Sequence, residues 1–200
     1  NNRAQLPEDF GTPEERIAAA EAGRAWEACM TFNGSWGYMP HALPEDWHSS
    51  RDVLLMLQQV TSGGGNLLLN IGPAPDGSVP DEAAQRLRPV GKWLDKYGYA
   101  CVYGDVDRTD GRFEFMPLGH WTLKGNKAFF WCSRWPGEQI TFGGLRNKLV
   151  RARLLPTGKG LHIWQQGEQI KLSGMPKTNP DRHASIAVIE LEFAAPPRQV

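Results

Sequence analysis

The sequence predicts two successive folds in one chain: an α/β part with parallel strands, then an all-β antiparallel sandwich. Up to about Tyr103, short apolar runs and helical periodicities follow one another in the order strand, helix, strand, helix, the pattern of parallel-strand units. Beyond it, short β-rich runs succeed one another between Gly, Pro and Asn turns, as in a sandwich. Charge divides the same way. Residues 1–107 are acidic and residues 108–200 are basic, although Lys plus Arg and Asp plus Glu balance at 22 each. The charged, turn-prone stretch DVDRTDG sets the boundary, giving domains over 1–106 and 107–200.

The elements follow in order. NNRAQLPEDFGTPEER has the Pro, Gly and Asp of an irregular loop. WEACMTF, Trp26 to Phe32, is largely apolar, as expected of a strand covered on both sides, and Asn33-Gly34 turns it into SWGY. Ser49 or Ser50 caps a helix through Arg51 to Val60, with Asp52 in its favourable first turn. Ser62-Gly63-Gly64-Gly65 stops that helix, and Asn66 to Ile71 forms a second buried strand ended by Gly72-Pro73. A further helix starts near Asp81, with Ala83, Leu87, Val90 and Leu94 on one stripe and a stop at Gly98; Pro89 inside it should kink or split it. The sandwich strands are expected in FEFMP, HWTLKGN, KAFFWCSRW, QITFGG, KLVRARLLP, LHIWQQG, EQIKLSG and ASIAVIELEF.

Composition removes several function classes. Zero net charge offers no global attraction for nucleic acid or an anionic membrane. Apolar runs such as Val53 to Leu57 and Leu67 to Leu69 are far short of a membrane span, and no signal-peptide pattern stands at the start. Cys29, Cys101 and Cys132 are too widely spaced for a metal-ligand pair or a disulfide framework, so the compartment stays open. The eight tryptophans are either large core side chains or platforms for the apolar faces of sugars.

Glycoside hydrolysis with retention needs two carboxyl groups, one to attack the anomeric carbon and one to serve as acid and then base. In barrel enzymes such groups sit on loops beyond the carboxy-terminal strand ends. Glu8, Asp9, Glu14 and Glu15 lie in the opening loop and Glu27 lies beside Trp26. Residue chemistry alone does not separate any of them from a solvated acid, and Arg3 is either a surface charge or an anchor for a carboxylate.

The ordered set NNR, EDFGTPE, WEACMT, SWGY, SGGGNLLLNIGPAPDG and RLRPVGKWLDKYGYACVYG resembles glycoside hydrolase family 29, the α-L-fucosidases, from Asn1 to about Gly104. The resemblance implies that this part is the last units of a (β/α)8 TIM-like barrel, with the sandwich in the family's carboxy-terminal position. It implies a retaining exo-α-L-fucosidase acting on fucosylated glycans without metal or cofactor. Carried over by position, Arg3 is similar to the arginine near the nucleophile, with Asn2 standing where the family has Asp. Glu14 resembles the acid/base, with Glu27 as the alternative. Trp36 resembles the aromatic wall against the fucose ring and its methyl group, which favours a 6-deoxy sugar. Asn70 and Gly72 are expected to shape the pocket floor, and His41 and His48 to be loop histidines. The family's nucleophile, an aspartate after the fourth strand, matches no position here. A barrel needs roughly 250 residues, so the rest is expected from an upstream segment of the same protein.

Two rivals remain to be weighed. One is a non-catalytic carbohydrate-binding sandwich with a helical prefix, its platform drawn from Trp121, Trp131, Trp135 and Trp164. The other reads Ser62 to Asn66 as a phosphate loop. Such a loop follows a strand and opens a helix with a Lys at set spacing, whereas this run follows a helix and precedes a strand.

Overall fold

The computed structural model describes residues 10–17, 24–98, 102 and 117–199. The chain divides into two compact units, Asn1–Lys92 and Trp93–Val200. The expected boundary at 106/107 and most of the FEFMP run lie outside the described residues.

In the first unit, β1 (Glu27–Thr31) and β2 (Asn66–Asn70) pair in parallel, Glu27 opposite Asn66 and Thr31 opposite Asn70. The connection is α1 (Ser50–Ser62), whose N-cap Ser49 accepts from the Asp52 amide while Asp52 accepts from the Ser49 amide. Burial works against the Asp52 charge, yet these Ser49 bonds, with His48 and Arg51, hold its carboxyl below the ordinary value. Side chains alternate across β1. Trp26 and Ala28 pack with Val60 of α1, alongside Ile17, Met30 and Leu67, while Glu27, Cys29 and Thr31 fall on the opposite face. That opposite face also carries Leu68, which is 50 % exposed.

The glycine run has a steric cause. The Trp26 indole lies on the turn and donates Nε1–H to the Gly63 carbonyl at 3.1 Å. A Cβ at Gly65 would sit 2.3 Å from the ring, and Gly64 has φ +68°. No ligand is needed to explain the three glycines.

The second helix, α2 (Asp81–Trp93), runs unbroken through Pro89 and finishes in a wider π turn, Leu94–Gly98. Of the kink or split expected at Pro89, the split does not occur. The neighbouring Arg86 carbonyl is met by the Ser50 hydroxyl at 2.6 Å, and the stop falls at Gly98 as expected. No helix among the described residues is long and apolar enough to cross a membrane.

The second unit contains a five-stranded and a three-stranded antiparallel sheet. Its strands are β3 (Gly119–Lys124), β4 (Lys127–Cys132), β5 (Gln139–Phe142), β6 (Leu149–Leu154), β7 (Lys159–Gly160), β8 (His162–Gln166), β9 (Gln169–Ser173) and β10 (Ala187–Phe193). The sheet orders are β3-β4-β10-β6-β7 and β5-β9-β8. Trp121 and Phe130 from one sheet meet Phe142 from the other with ring centroids 4.8 to 5.1 Å apart. Leu154, Ile189 and Leu191 complete this core with Ile140, Ile170 and Leu172.

Trp131 is also fully buried, tilted against Trp93 at 4.9 Å and donating to Thr122. Trp135 is half-buried, its Nε1–H given to the Pro176 carbonyl. The rival reading's four-tryptophan platform does not form: Trp121 and Trp131 are core, because alternation along β3 and β4 turns each into an apolar layer. Only Trp164 of the four is exposed.

On the side of the five-stranded sheet away from that core, Glu190 is only 2 % exposed yet charged. Arg153 grips it with bonds of 2.7 and 3.1 Å, and Lys127 stands at 3.5 Å. Burial alone would raise its carboxyl, but the Arg153 bonds and the Lys127 charge hold it below the ordinary carboxylate value.

Two outcomes are expected. Gly65→Ala should destabilise the first unit by about 1–3 kcal/mol through overpacking, with part of the loss returned by Trp26→Phe; thermal melts of the single and double variants measure this. Because the folded Glu190 value is depressed, its contribution is complete above the unfolded value and disappears as pH falls through the folded one. Acid titration of Glu190→Gln should therefore show a shallower loss of stability below about pH 4.5, after a loss of about 2 kcal/mol at neutral pH.

Candidate active site

Residues Gly11 to Glu15 lie along the edge of β1 not used by β2, bridging in parallel at Gly11–Trp26 and Glu14–Cys29. The Glu27 amide donates to the Gly11 carbonyl at 2.8 Å, the Cys29 amide to Pro13 at 2.9 Å, and the Glu15 amide to Cys29 at 2.9 Å. Glu15 then takes φ 52°, unusual for a residue with a Cβ, and its carboxylate accepts from the Thr31 amide at 2.7 Å. Glu15, read in sequence only as a loop acid, thus caps the end of β1. A left-handed residue after TPE leaves no compositional signal by which it could have been found.

Glu14 pairs with Cys29 and is exposed. Partners in a bridge share a face, so Glu14 lies on the side of Glu27 and Cys29, opposite the Trp26 core. The electrostatics agree. Burial, then Glu14, Glu27 and Glu15 in that order, push the Cys29 thiol above its usual value. The two candidate carboxylates therefore stand on one face at different heights. Glu14 is level with Cys29, while Glu27 opens the strand, about 13 Å short of its carboxy end at 3.3 Å per residue. Asn1, Asn2, Arg3, Glu8 and Asp9 lie outside the described residues.

Beyond the end of β1, residues 33 to 37 fold into a tight loop. The Ser35 amide donates to Asn33 Oδ1 and the Gly37 amide to Ser35 Oγ, each at 3.3 Å. Trp36 is 48 % exposed, an indole held outward rather than packed. The end of β2 fixes this loop. Asn70 Nδ2 donates to the Trp36 carbonyl at 2.8 Å and the Ser35 carbonyl at 3.4 Å. Gly72, at φ +56°, lies so close that a Cβ would come within 2.8 Å of the Gly37 carbonyl oxygen. Trp47 packs edge-on against Phe32 at 5.5 Å beneath, and the His48 amide donates to the Phe32 carbonyl. His41 is exposed in the following loop. No group of three or more metal-ligating side chains gathers among the described residues.

Asn70→Ala should remove the clamp without unfolding the unit. Amide exchange at residues 35 to 38 should speed up about tenfold, the equivalent of about one hydrogen bond, while β1 and β2 remain protected. Equal exchange in both proteins would mean that the loop holds itself.

Comparison with known proteins adds the lineage. Residues 1–99 match the family model described as Alpha-L-fucosidase. Human plasma α-L-fucosidase is 42 % identical over 150 residues, covering 72 % of this chain and 32 % of that protein. The α-L-fucosidase of Branchiostoma floridae is 36 % identical over 121 residues, covering 59 % and 26 %. Among solved structures, α-L-fucosidase isoenzyme 1 from Paenibacillus thiaminolyticus gives a TM-score of 0.81 at 28 % identity, covering 92 % of this chain and 45 % of that one. The α-fucosidase of Thermotoga maritima, in complex with a mechanism-based inhibitor, gives 0.78 at 31 % identity, covering 94 % and 44 %. The chain thus spans at most about a third of these curated relatives and less than half of these solved structures. In sequence and in fold, the chain belongs to the α-L-fucosidase family, glycoside hydrolase family 29.

Proposed function

We propose that the chain is the carboxy-terminal part of a retaining exo-α-L-fucosidase, contributing the acid/base and the sugar's apolar wall to a pocket whose nucleophile comes from upstream sequence. The observation that carries this reading is the seam along β1. It holds Glu14 on the face of the parallel pair away from α1, while Asn70 holds the Trp36 loop at the carboxy end of the same pair. The half-exposed Leu68 on that face is what an inward-facing barrel position would leave open without the other strands, which favours the last units of a (β/α)8 barrel.

In this reading Glu14 protonates the departing glycosidic oxygen as the upstream carboxylate attacks the anomeric carbon, leaving a fucosyl ester on that carboxylate. Glu14, now ionised, then takes a proton from water, which attacks the same carbon and releases fucose with retention. The two carboxyl groups have to stand about 5 Å apart. Trp36 presents an apolar surface to the methyl group of the 6-deoxy sugar, and Arg3 orients the nucleophile. Glu27 is less suited, because it opens its strand and barrel chemistry gathers at the carboxy ends.

The test uses the chain extended upstream to the length of its relatives, assayed on aryl α-L-fucosides. Glu14→Gln should lower turnover about 10²- to 10⁴-fold on a poor leaving group and far less on a good one, while Glu27→Gln stays near wild type. The opposite pattern would transfer the role to Glu27. The 200-residue chain by itself should show no turnover.

A further inference from the structure

The three-stranded sheet of the second unit carries a groove of about 550 Å³, into which Thr141, His162, Trp164, Gln169, Lys171 and Ser173 project. Strand pairing builds it. Thr141, Lys171 and Trp164 stand in one rung across β5, β9 and β8, and Ser173 and His162 stand opposite each other in the next. Alternation sends Ile140, Phe142, Ile170 and Leu172 to the core, so this polar row is the sheet's other face. The rim is shaped as well. Gly174, at φ +89°, lets the His162 ring come so near the backbone that a Cβ would be 3.0 Å from it, and the Gly174 carbonyl accepts from Lys159 Nζ at 2.8 Å.

Three features of the groove point to one ligand chemistry. Trp164 is 48 % exposed, whereas Trp121 and Trp131 are consumed by packing, so the fold does not need this indole where it stands. Five of the six other lining residues, Thr141, His162, Gln169, Lys171 and Ser173, are polar and only Ile163 is apolar, which suits a ligand rich in hydroxyls better than an apolar protein anchor. Finally, no carboxylate lines the groove, and the Lys171 ammonium has no ion-pair partner among the described residues. On the other sheet, Lys127, Arg151 and Arg153 all face Glu190 or Glu192. One unpaired cation beside one platform fits a single anionic group; a nucleic-acid backbone would call for a row of them.

We propose that this groove binds an acidic glycan, the apolar face of one sugar ring stacked on Trp164 and its sulfate or carboxylate held by Lys171. Thr141, Gln169 and Ser173 supply hydrogen bonds to ring hydroxyls. The site is independent of the role of Glu14.

The 200-residue chain is titrated calorimetrically with a chondroitin sulfate tetrasaccharide, a hyaluronan tetrasaccharide and neutral chitotetraose. Binding to chondroitin sulfate alone assigns the sulfate, and binding to both acidic chains assigns the carboxylate; either supports the site. Affinity should fall with added salt. Trp164→Ala should weaken binding about tenfold and Trp164→Phe much less, since stacking survives in the smaller ring. Lys171→Gln should weaken it about threefold and flatten the salt dependence. Val150→Ala, an exposed position on β6, should bind as wild type, and melting curves should confirm that each variant is folded. Absence of binding to both acidic chains, or full affinity in a folded Trp164→Ala, overturns the site. Chitotetraose bound as tightly as the acidic chains, with Lys171→Gln unaffected, overturns the acidic ligand.

Discussion

The candidate site depends on the seating of Trp26 in the glycine turn after α1. That contact fixes which face of β1 meets the helix, because a strand's side chains alternate and one buried indole commits the rest. With Trp26 and Ala28 turned toward Val60, the positions of Glu27, Cys29 and Thr31 are set on the other face. The register to β2 then brings Asn70 level with Thr31. From there Asn70 can reach the Ser35 and Trp36 carbonyls, and Gly72 can press against Gly37. A side chain at Gly65 would disturb the first link and so all the later ones.

The second unit is held by a different balance. Its core is an aromatic interdigitation of two sheets, and its five-stranded sheet carries a buried carboxylate on the outer face. Glu190 stays charged there because Arg153 and Lys127 supply more than its lost hydration takes away. The excess of basic residues in this half is thus partly used internally. Lys171 is outside that arrangement, on a sheet whose outward row carries Thr141, Ser173, Gln169 and the exposed Trp164 and no carboxylate in the groove.

Much of this was legible in the chain. A helix cap at Ser49 or Ser50, the Gly stops, the parallel order of strands and the sandwich strands from β3 onward, apart from the two-residue β7, follow from local periodicity and turn chemistry, which act over a few residues. The family motifs also marked Glu14, Glu27 and Trp36 as candidates. Other features were not legible. Pro89 was expected to kink or split α2, and the helix is not split. The tryptophan count left core and platform both open, because whether an indole is core or surface depends on which layer its strand joins.

What the sequence determined by itself was the order of elements, the lineage and the list of acids that could react, because each is encoded in residue type and spacing. The tertiary structure decided which of those residues share a face and a height. Only the bridge from Glu14 to Cys29, the left-handed turn at Glu15 and the Asn70 clamp distinguish one loop acid from its neighbours. The same holds for Trp164, which local sequence does not distinguish from Trp121. Pairing between strands far apart in the chain sets the one against water and the other in the core.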